Sequence, residues 1–168
     1  MKIVFSFIVC VVIFVGCGYK PSSYYARDAI SGNVYVELDV DIANAQNSVY
    51  VKDAMNEMVL NQFKANLTDD KQKADTVVIV SLSNVSHLAM SIDDNGYVES
   101  YRTTVIIDVT YQKKKEDKKT ISVSNYYDYT VDSTSIITDQ KKNIAVKIAS
   151  TKALADVFSK IAIHNMKE

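Results

Sequence analysis

Four stretches of this chain carry the hydrophobic patterns of β-strands. The first runs from Val34 to Ile42 and alternates apolar and polar residues, as in a half-buried strand. The second, Thr76–Val85, is richer in apolar residues and is predicted to be central in a sheet. The third and fourth, Tyr97–Tyr111 and Ile121–Val131, alternate again on either side of a charged segment, and they predict an antiparallel hairpin.

Two other segments repeat apolar residues at helical spacing. The first predicts a helix that begins at Asn47 or Ser48 and ends near Asn66. Its apolar stripe comprises Val51, Met55, Met58, Val59, Phe63 and Leu67. The second predicts a helix from Thr138 or Asp139 to about Asn165. Its stripe comprises Ile144, Ile148, Ala155, Phe158 and Ala162, widened by Leu154, Val157 and Ile161.

The order of these elements predicts an α+β fold. Between the second and third strands, residues 86–96 are predicted to be a loop that ends in the turn Asp93-Asp94-Asn95-Gly96. The element order is therefore β-α-β-β-β-α. A mainly antiparallel four-stranded sheet with both helices packed on its apolar face satisfies these patterns in a single domain, residues 33–168.

The N-terminus has the pattern of a bacterial lipoprotein signal. Lys2 precedes a short apolar run, and Cys17 follows the small residue Gly16, so residues 1–16 are predicted to be a signal peptide. The run is too short for a transmembrane helix, which needs about 20 apolar residues. An ordinary cleaved signal usually has a small residue where Phe14 stands, although lipoproteins commonly have Leu there.

Cleavage before Cys17 would make its sulfur the site of lipid attachment and anchor the protein to a membrane. Gly18 follows the cysteine, where an Asp would favour retention in the inner membrane of enteric bacteria, so the outer membrane is favoured. Residues 17–32 contain Gly18, Pro21 and several serines, and they predict a tether between the anchor and the folded domain.

Composition narrows the classes of function. The formal net charge of −1 shows no basic excess, and nucleic acid is not a predicted partner. Cys10 would leave with the signal peptide and Cys17 would carry lipid, so no disulfide or thiolate metal site is expected. The two histidines, His87 and His164, do not have metal-binding spacing, and there is no Gly-x-Ser-x-Gly or glycine-rich phosphate loop. We therefore predict a protein that is not an enzyme and needs no cofactor.

Basic residues on the predicted hairpin are the candidates for ligand binding. They are Arg102 on the polar face of the third strand, and Lys113, Lys114, Lys115, Lys118 and Lys119 at the hairpin tip. Such side chains suit anionic phosphate groups, and arginine can bind phosphate through two parallel hydrogen bonds. The alternative is that the lysine-rich tip is simply solvated and prevents pairing of strand edges.

The ordered set of elements and motifs resembles the LptE family. The segments that carry the resemblance are CGYKPSS from Cys17, NSVYVKDA from Asn47, NGYVESYR ending at Arg102, and ITDQ from Ile137. LptE is the lipoprotein subunit of the outer-membrane lipopolysaccharide translocon. The resemblance covers essentially the whole mature chain and is greatest to the divergent LptE proteins of the Campylobacter and Helicobacter group.

The resemblance implies a function without catalysis. LptE-like proteins lie as a plug inside the large LptD barrel, help its assembly, and bind lipopolysaccharide. It therefore implies an LptD-like barrel and lipopolysaccharide as partners, an outer-membrane location on the periplasmic side, and a lipidated (palmitate-bearing) Cys17. Lipid A phosphates would suit the six basic candidates. An alternative is a periplasm-facing lipoprotein that activates a cell-wall synthase or serves as a flagellar or secretion accessory subunit, but the short predicted tether favours a membrane-embedded partner.

Overall fold

The computed structural model of the chain describes residues 20–40, 45–131 and 137–166. The predicted signal peptide and Cys17 lie outside these residues. The helices are α1 (Ser22–Ala29), α2 (Ala45–Met58, continued by a π-helical turn at Val59–Phe63) and α3 (Asp139–Met166). The strands are β1 (Asn33–Asp39), β2 (Asn66–Leu67), β3 (Thr76–Ile92), β4 (Val98–Lys113) and β5 (Lys119–Thr130).

The strands form one mixed sheet in the order β2-β1-β3-β4-β5. β1 is parallel to both β2 and β3, whereas β3, β4 and β5 form an antiparallel meander. Parallel neighbours need a long crossover connection, and α2 lies within the connection from β1 to β3. The predicted α+β class, the antiparallel hairpin and the central position of β3 are confirmed. The described residues correct the count to five strands and three helices.

The predicted loop at residues 86–96 is wrong over most of its length. β3 continues to Ile92 and pairs with β4 almost to the end of the hairpin. The predicted turn is confirmed: Asp93 Oδ1 accepts hydrogen bonds from the N–H groups of Asn95 at 2.9 Å and Tyr97 at 2.8 Å. Gly96 has φ +87°, a conformation that favours glycine, which explains why the chain reverses at this position.

The interpretation of residues 22–30 as part of a tether is also wrong. This segment contains α1, whose Ala26 is fully buried, and Ile30 immediately after it is fully buried as well. α1 packs mainly against α3. Burial of these apolar side chains holds the short helix in place, because a helix of two turns is marginal in isolation. The folded part of the described chain therefore includes α1.

The helices bury faces close to those that the apolar spacing predicts. In α2, five of the six predicted stripe residues are buried, but Leu67 lies in β2 and is 37% exposed. In α3, Ile144 and Ala155 are exposed, and the buried face is rotated towards the residues that were predicted only to widen the stripe. The main buried residues of α3 are Val146, Ala149, Ser150, Ala153, Leu154, Val157 and Ile161.

Candidate functional site

The sheet has one face that no described element covers, and we call it the open face. On β4 and β5 this face consists of the even-numbered residues, all of which are partly or largely exposed. Serine, threonine and aspartate predominate among them. The odd-numbered residues of β4 from Thr103 to Tyr111 are buried beneath the helices, which confirms the predicted alternation. The hairpin thus separates a helix-covered side from a polar open face.

Arg102 lies on the open face and is bound by its own sheet. The β4–β5 register places it opposite Asp128, and its Nε and Nη2 atoms donate to the two carboxylate oxygens, each at 2.7 Å. Its guanidinium carbon lies 3.9 Å from the centre of the Tyr126 ring. The hydrogen bonds from Arg102 lower the pKa of Asp128, and the same bonds raise the pKa of Arg102. A phosphate could form two parallel hydrogen bonds with this guanidinium group only by displacing Asp128.

Two of the five hairpin-tip lysines connect the tip to helix ends. Lys113 Nζ donates to the backbone oxygen of Asp28, in the last turn of α1, at 3.1 Å. Lys119 Nζ donates to the side-chain oxygen of Asn165, in the last turn of α3, at 3.0 Å. Cations are favourable at helix C-termini because the free carbonyl oxygens there carry a partial negative charge. These two lysines therefore have structural contacts that compete with a ligand.

The other three tip lysines, Lys114, Lys115 and Lys118, are exposed. Glu116 and Asp117 lie between them and reduce the positive charge of the tip. Because Arg102 and Lys113 are both on β4, the separation of eleven residues amounts to about 35 Å at roughly 3.3 Å per residue. The structure therefore does not bring the six basic candidates together, and it places Arg102 and the tip lysines at opposite ends of the hairpin.

The end of the sheet that carries Arg102 also has an apolar surface that sequence analysis missed. Leu88, Met90, Ile92 and Tyr97, around the β3–β4 turn, are all exposed, and Leu88 retains 64% of its accessible surface. We call this segment, residues 85–101, the hairpin arm. The sequence predicts a loop over most of this segment, and a predicted loop does not indicate an apolar surface. Apolar residues on both sides of a strong turn were the signal that could have revealed it.

Tyrosine rings line the helix-covered side of the same end. The ring centroids of Tyr101 and Tyr129 are 6.1 Å apart, and those of Tyr127 and Tyr129 are 6.3 Å apart. A groove of about 450 Å³ runs between the end of β5 and the start of α3, and Tyr127, Tyr129, Lys141 and Ile144 are among the residues that line it. The hydroxyl oxygen of Tyr129 is buried and has no hydrogen-bond partner among the described residues.

His87 lies close to this tyrosine cluster and has a structural contact. Its Nδ1 atom is 2.7 Å from the hydroxyl of the buried residue Thr103. Burial is the main cause that lowers the pKa of His87, and the charge of Lys142 lowers it further.

In the part of the chain that the structure describes, no group of three or more His, Cys, Asp or Glu side chains could hold a metal ion. In the same residues, no helix is both long and apolar enough to cross a membrane.

Comparison with known proteins identifies the family. The model of the LptE family, described as lipopolysaccharide-assembly, matches residues 35–161. The chain belongs to the LptE family. A search of curated proteins found no match. LptE membership implies a role in lipopolysaccharide assembly, and because this family is non-enzymatic, the prediction that the protein is not an enzyme is confirmed.

Solved structures of lipoproteins share the fold of this LptE protein. Rare lipoprotein B from Shewanella oneidensis has 12% sequence identity and a TM-score of 0.53, and the match covers 80% of this chain and 97% of that one. An uncharacterised lipoprotein B from Nitrosomonas europaea has 9% identity and a TM-score of 0.54, with 89% and 94% of the chains covered. At such low identities these likenesses concern the fold alone.

Proposed function

We propose that this LptE protein is anchored through Cys17 to the periplasmic side of the outer membrane, where it plugs an LptD-like barrel, supports its assembly and binds lipopolysaccharide. The observation that carries the proposal is the open face of the sheet. A wide barrel has a polar interior, and side chains such as Ser, Thr and Asp can form hydrogen bonds there. Family membership supports this function over the alternative of a cell-wall synthase activator or a flagellar or secretion accessory subunit.

The charges on the open face support its burial against a polar partner. Arg102 is paired with Asp128, and Glu37 accepts a hydrogen bond from Lys71 at 2.5 Å. Asp108 accepts one from the hydroxyl of Ser83. Burying an unpaired charge is costly, whereas a charge that already has a partner loses less on leaving water. The open face can therefore enter an interface without leaving these charges unpaired.

The proposed barrel contact is tested by purifying the tagged protein from native outer membranes in mild detergent. We expect a large barrel to copurify with the wild-type protein. Thr110→Arg places a cation on the open face near the hairpin tip, and we expect it to reduce recovery of the barrel about tenfold, because a new unpaired charge would be buried. Thr151→Arg is the matched control, since Thr151 is exposed on α3 and away from this face. Wild-type preparations that contain no barrel would contradict the proposed function.

For lipopolysaccharide binding, the exposed tip lysines are stronger candidates than Arg102, Lys113 and Lys119, whose side chains already have partners. We expect the double variant Lys114→Glu/Lys115→Glu to bind lipopolysaccharide several-fold more weakly, and with a smaller salt dependence, because lysines attract lipid A phosphates through screened charge interactions. The control double variant, Lys52→Glu/Lys147→Glu, makes the same charge change on α2 and α3. Equal binding by the tip variant and the wild-type protein would show that these lysines are not the site.

A further inference from the structure

β5 is an edge strand, and the direction of its backbone groups follows from two side-chain contacts. Lys160 Nζ donates to the backbone oxygen of Ser122 at 2.9 Å, and the N–H of Tyr126 donates to the side-chain oxygen of Asn125 at 2.8 Å. Both backbone groups therefore point away from β4. Because antiparallel pairing alternates along a strand, the N–H and C=O groups of the even-numbered residues all point outward. These two contacts hinder another strand from pairing with residues 119–125, the half of the edge nearer the hairpin tip, which we call the protected half.

Residues 126–130 of the same edge, which we call the open half, have no such contacts at their remaining outward backbone groups. Among the described residues, no side chain forms a hydrogen bond with the outward N–H or C=O of Asp128 or Thr130, or with the outward C=O of Tyr126. The side chain of Asp128 is turned instead to Arg102. Residues 126–130 thus present a short row of backbone donors and acceptors that an extended chain can complete.

Beside this open edge lies the groove between β5 and α3. Tyr127, Tyr129 and Ile144 give it apolar walls, and Ile144 is about half exposed, at 49%. Lys141 and the edge residues Asp128 and Thr130 also line the groove. An added strand would therefore place every second side chain in a largely apolar groove and the others beside the polar open face.

We propose that residues 126–130 of β5 form a strand-addition site for an extended segment of the barrel partner. The proposal rests on the proposed function and names the backbone contact that joins the two proteins. A second copy of this chain is a poorer occupant, because two-fold pairing centred on Asp128 would place two aspartates directly opposite each other. Residues 126–130 adjoin the open face, and this continuity supports one partner that contacts both surfaces.

Proline substitution tests the edge, because proline removes an N–H group and is tolerated where that group points away from the sheet. Thr130→Pro removes an outward N–H in the open half of β5. Ser124→Pro, the matched control, removes an outward N–H in the protected half. We expect Thr130→Pro to reduce barrel recovery about tenfold, since it removes one hydrogen bond and disturbs its neighbours. Ser124→Pro should retain the wild-type recovery, and circular dichroism should show that both variants are folded.

Photo-crosslinking provides a second measurement that does not depend on whether β5 tolerates a proline. A benzoylphenylalanine at position 127, whose side chain faces the groove rather than the open face, should crosslink to a protein of barrel size, whereas the same group at position 125, on the same side of the protected half, should not. If the wild-type protein recovers the barrel but neither proline substitution nor position 127 distinguishes the two halves of β5, the strand-addition site is wrong and the proposed function stands. A crosslinked product of twice the chain's mass would overturn the choice of partner. Failure of the wild-type protein to recover any barrel would instead contradict the proposed function.

Discussion

Cys17→Ala is expected to mislocalise the protein away from the outer-membrane fraction without unfolding it. Lipid chains on this cysteine would supply most of the membrane affinity, because two or more acyl chains give stable anchoring whereas one gives only marginal binding. The fold should survive because the first buried residue of the described chain is Ala26, well beyond the anchor. Fractionation on a density gradient, followed by circular dichroism of the purified protein, measures both results.

Cys10→Ala is the matched control for this variant. Cys10 lies in the predicted signal peptide, so the same chemical change there should leave the mature protein and its membrane location unaltered. Metabolic labelling with palmitate should mark the wild-type and Cys10→Ala proteins but not the Cys17→Ala protein. Palmitate incorporation into the Cys17→Ala protein would show that lipid is attached elsewhere. Full retention of an unlabelled variant in the outer membrane would show that contact with the barrel is a sufficient anchor.

Ile161→Ala is expected to lower the free energy of unfolding by about 2–5 kcal/mol, as is usual when a buried isoleucine is truncated. Ile161 is fully buried on α3 and belongs to the core formed with the sheet. The substitution removes apolar contacts and leaves a cavity that the neighbouring side chains fill only in part. A small domain is stable by only about 5–15 kcal/mol, so the loss is a large part of the total. Urea denaturation followed by circular dichroism measures it.

Ile163→Ala makes the same chemical change two residues further along α3, where the side chain is 55% exposed. Surface substitutions usually alter stability by about 0.5 kcal/mol or less, so this variant should unfold close to the wild-type midpoint. The two variants together therefore test which face of α3 packs against the sheet. Equal losses in the two variants would show that α3 does not bury the face described above.

Strands with a mostly regular alternation were predictable from the sequence. Residues 97–111 and 121–131 alternate with few exceptions, such as Ile106 and Asn125, and the observed hairpin has the predicted faces. The outer half of β3 was not predictable in this way, because residues 86–92 mix polar and apolar side chains and their hydrogen bonds with β4, rather than burial, hold them. β2 has only two residues, and α1 depends on packing against α3, which is distant in sequence.

The chemistry of the candidate basic residues was predictable only in part. Sequence patterning placed Arg102 on the polar face of its strand, which is confirmed. Its partner Asp128 was missed, although both residues lie on the polar face of a hairpin whose register places them opposite each other. Lys113 and Lys119 were grouped with their neighbours because adjacent lysines look alike in a sequence. Their contacts with the ends of α1 and α3 come from the tertiary fold, which local patterns do not contain.

The packing of α1 against α3 has a consequence for the order in which the protein folds. These are the first and last helices of the described chain, so their contact joins residues more than a hundred positions apart. The β3–β4–β5 meander, by contrast, consists of neighbouring segments with a small loop-closure cost, and such local pairings form early. We therefore expect the meander to form first and α1 to dock only after α3 is in place. The N-terminal segment, although synthesised first, would then be the last to become ordered.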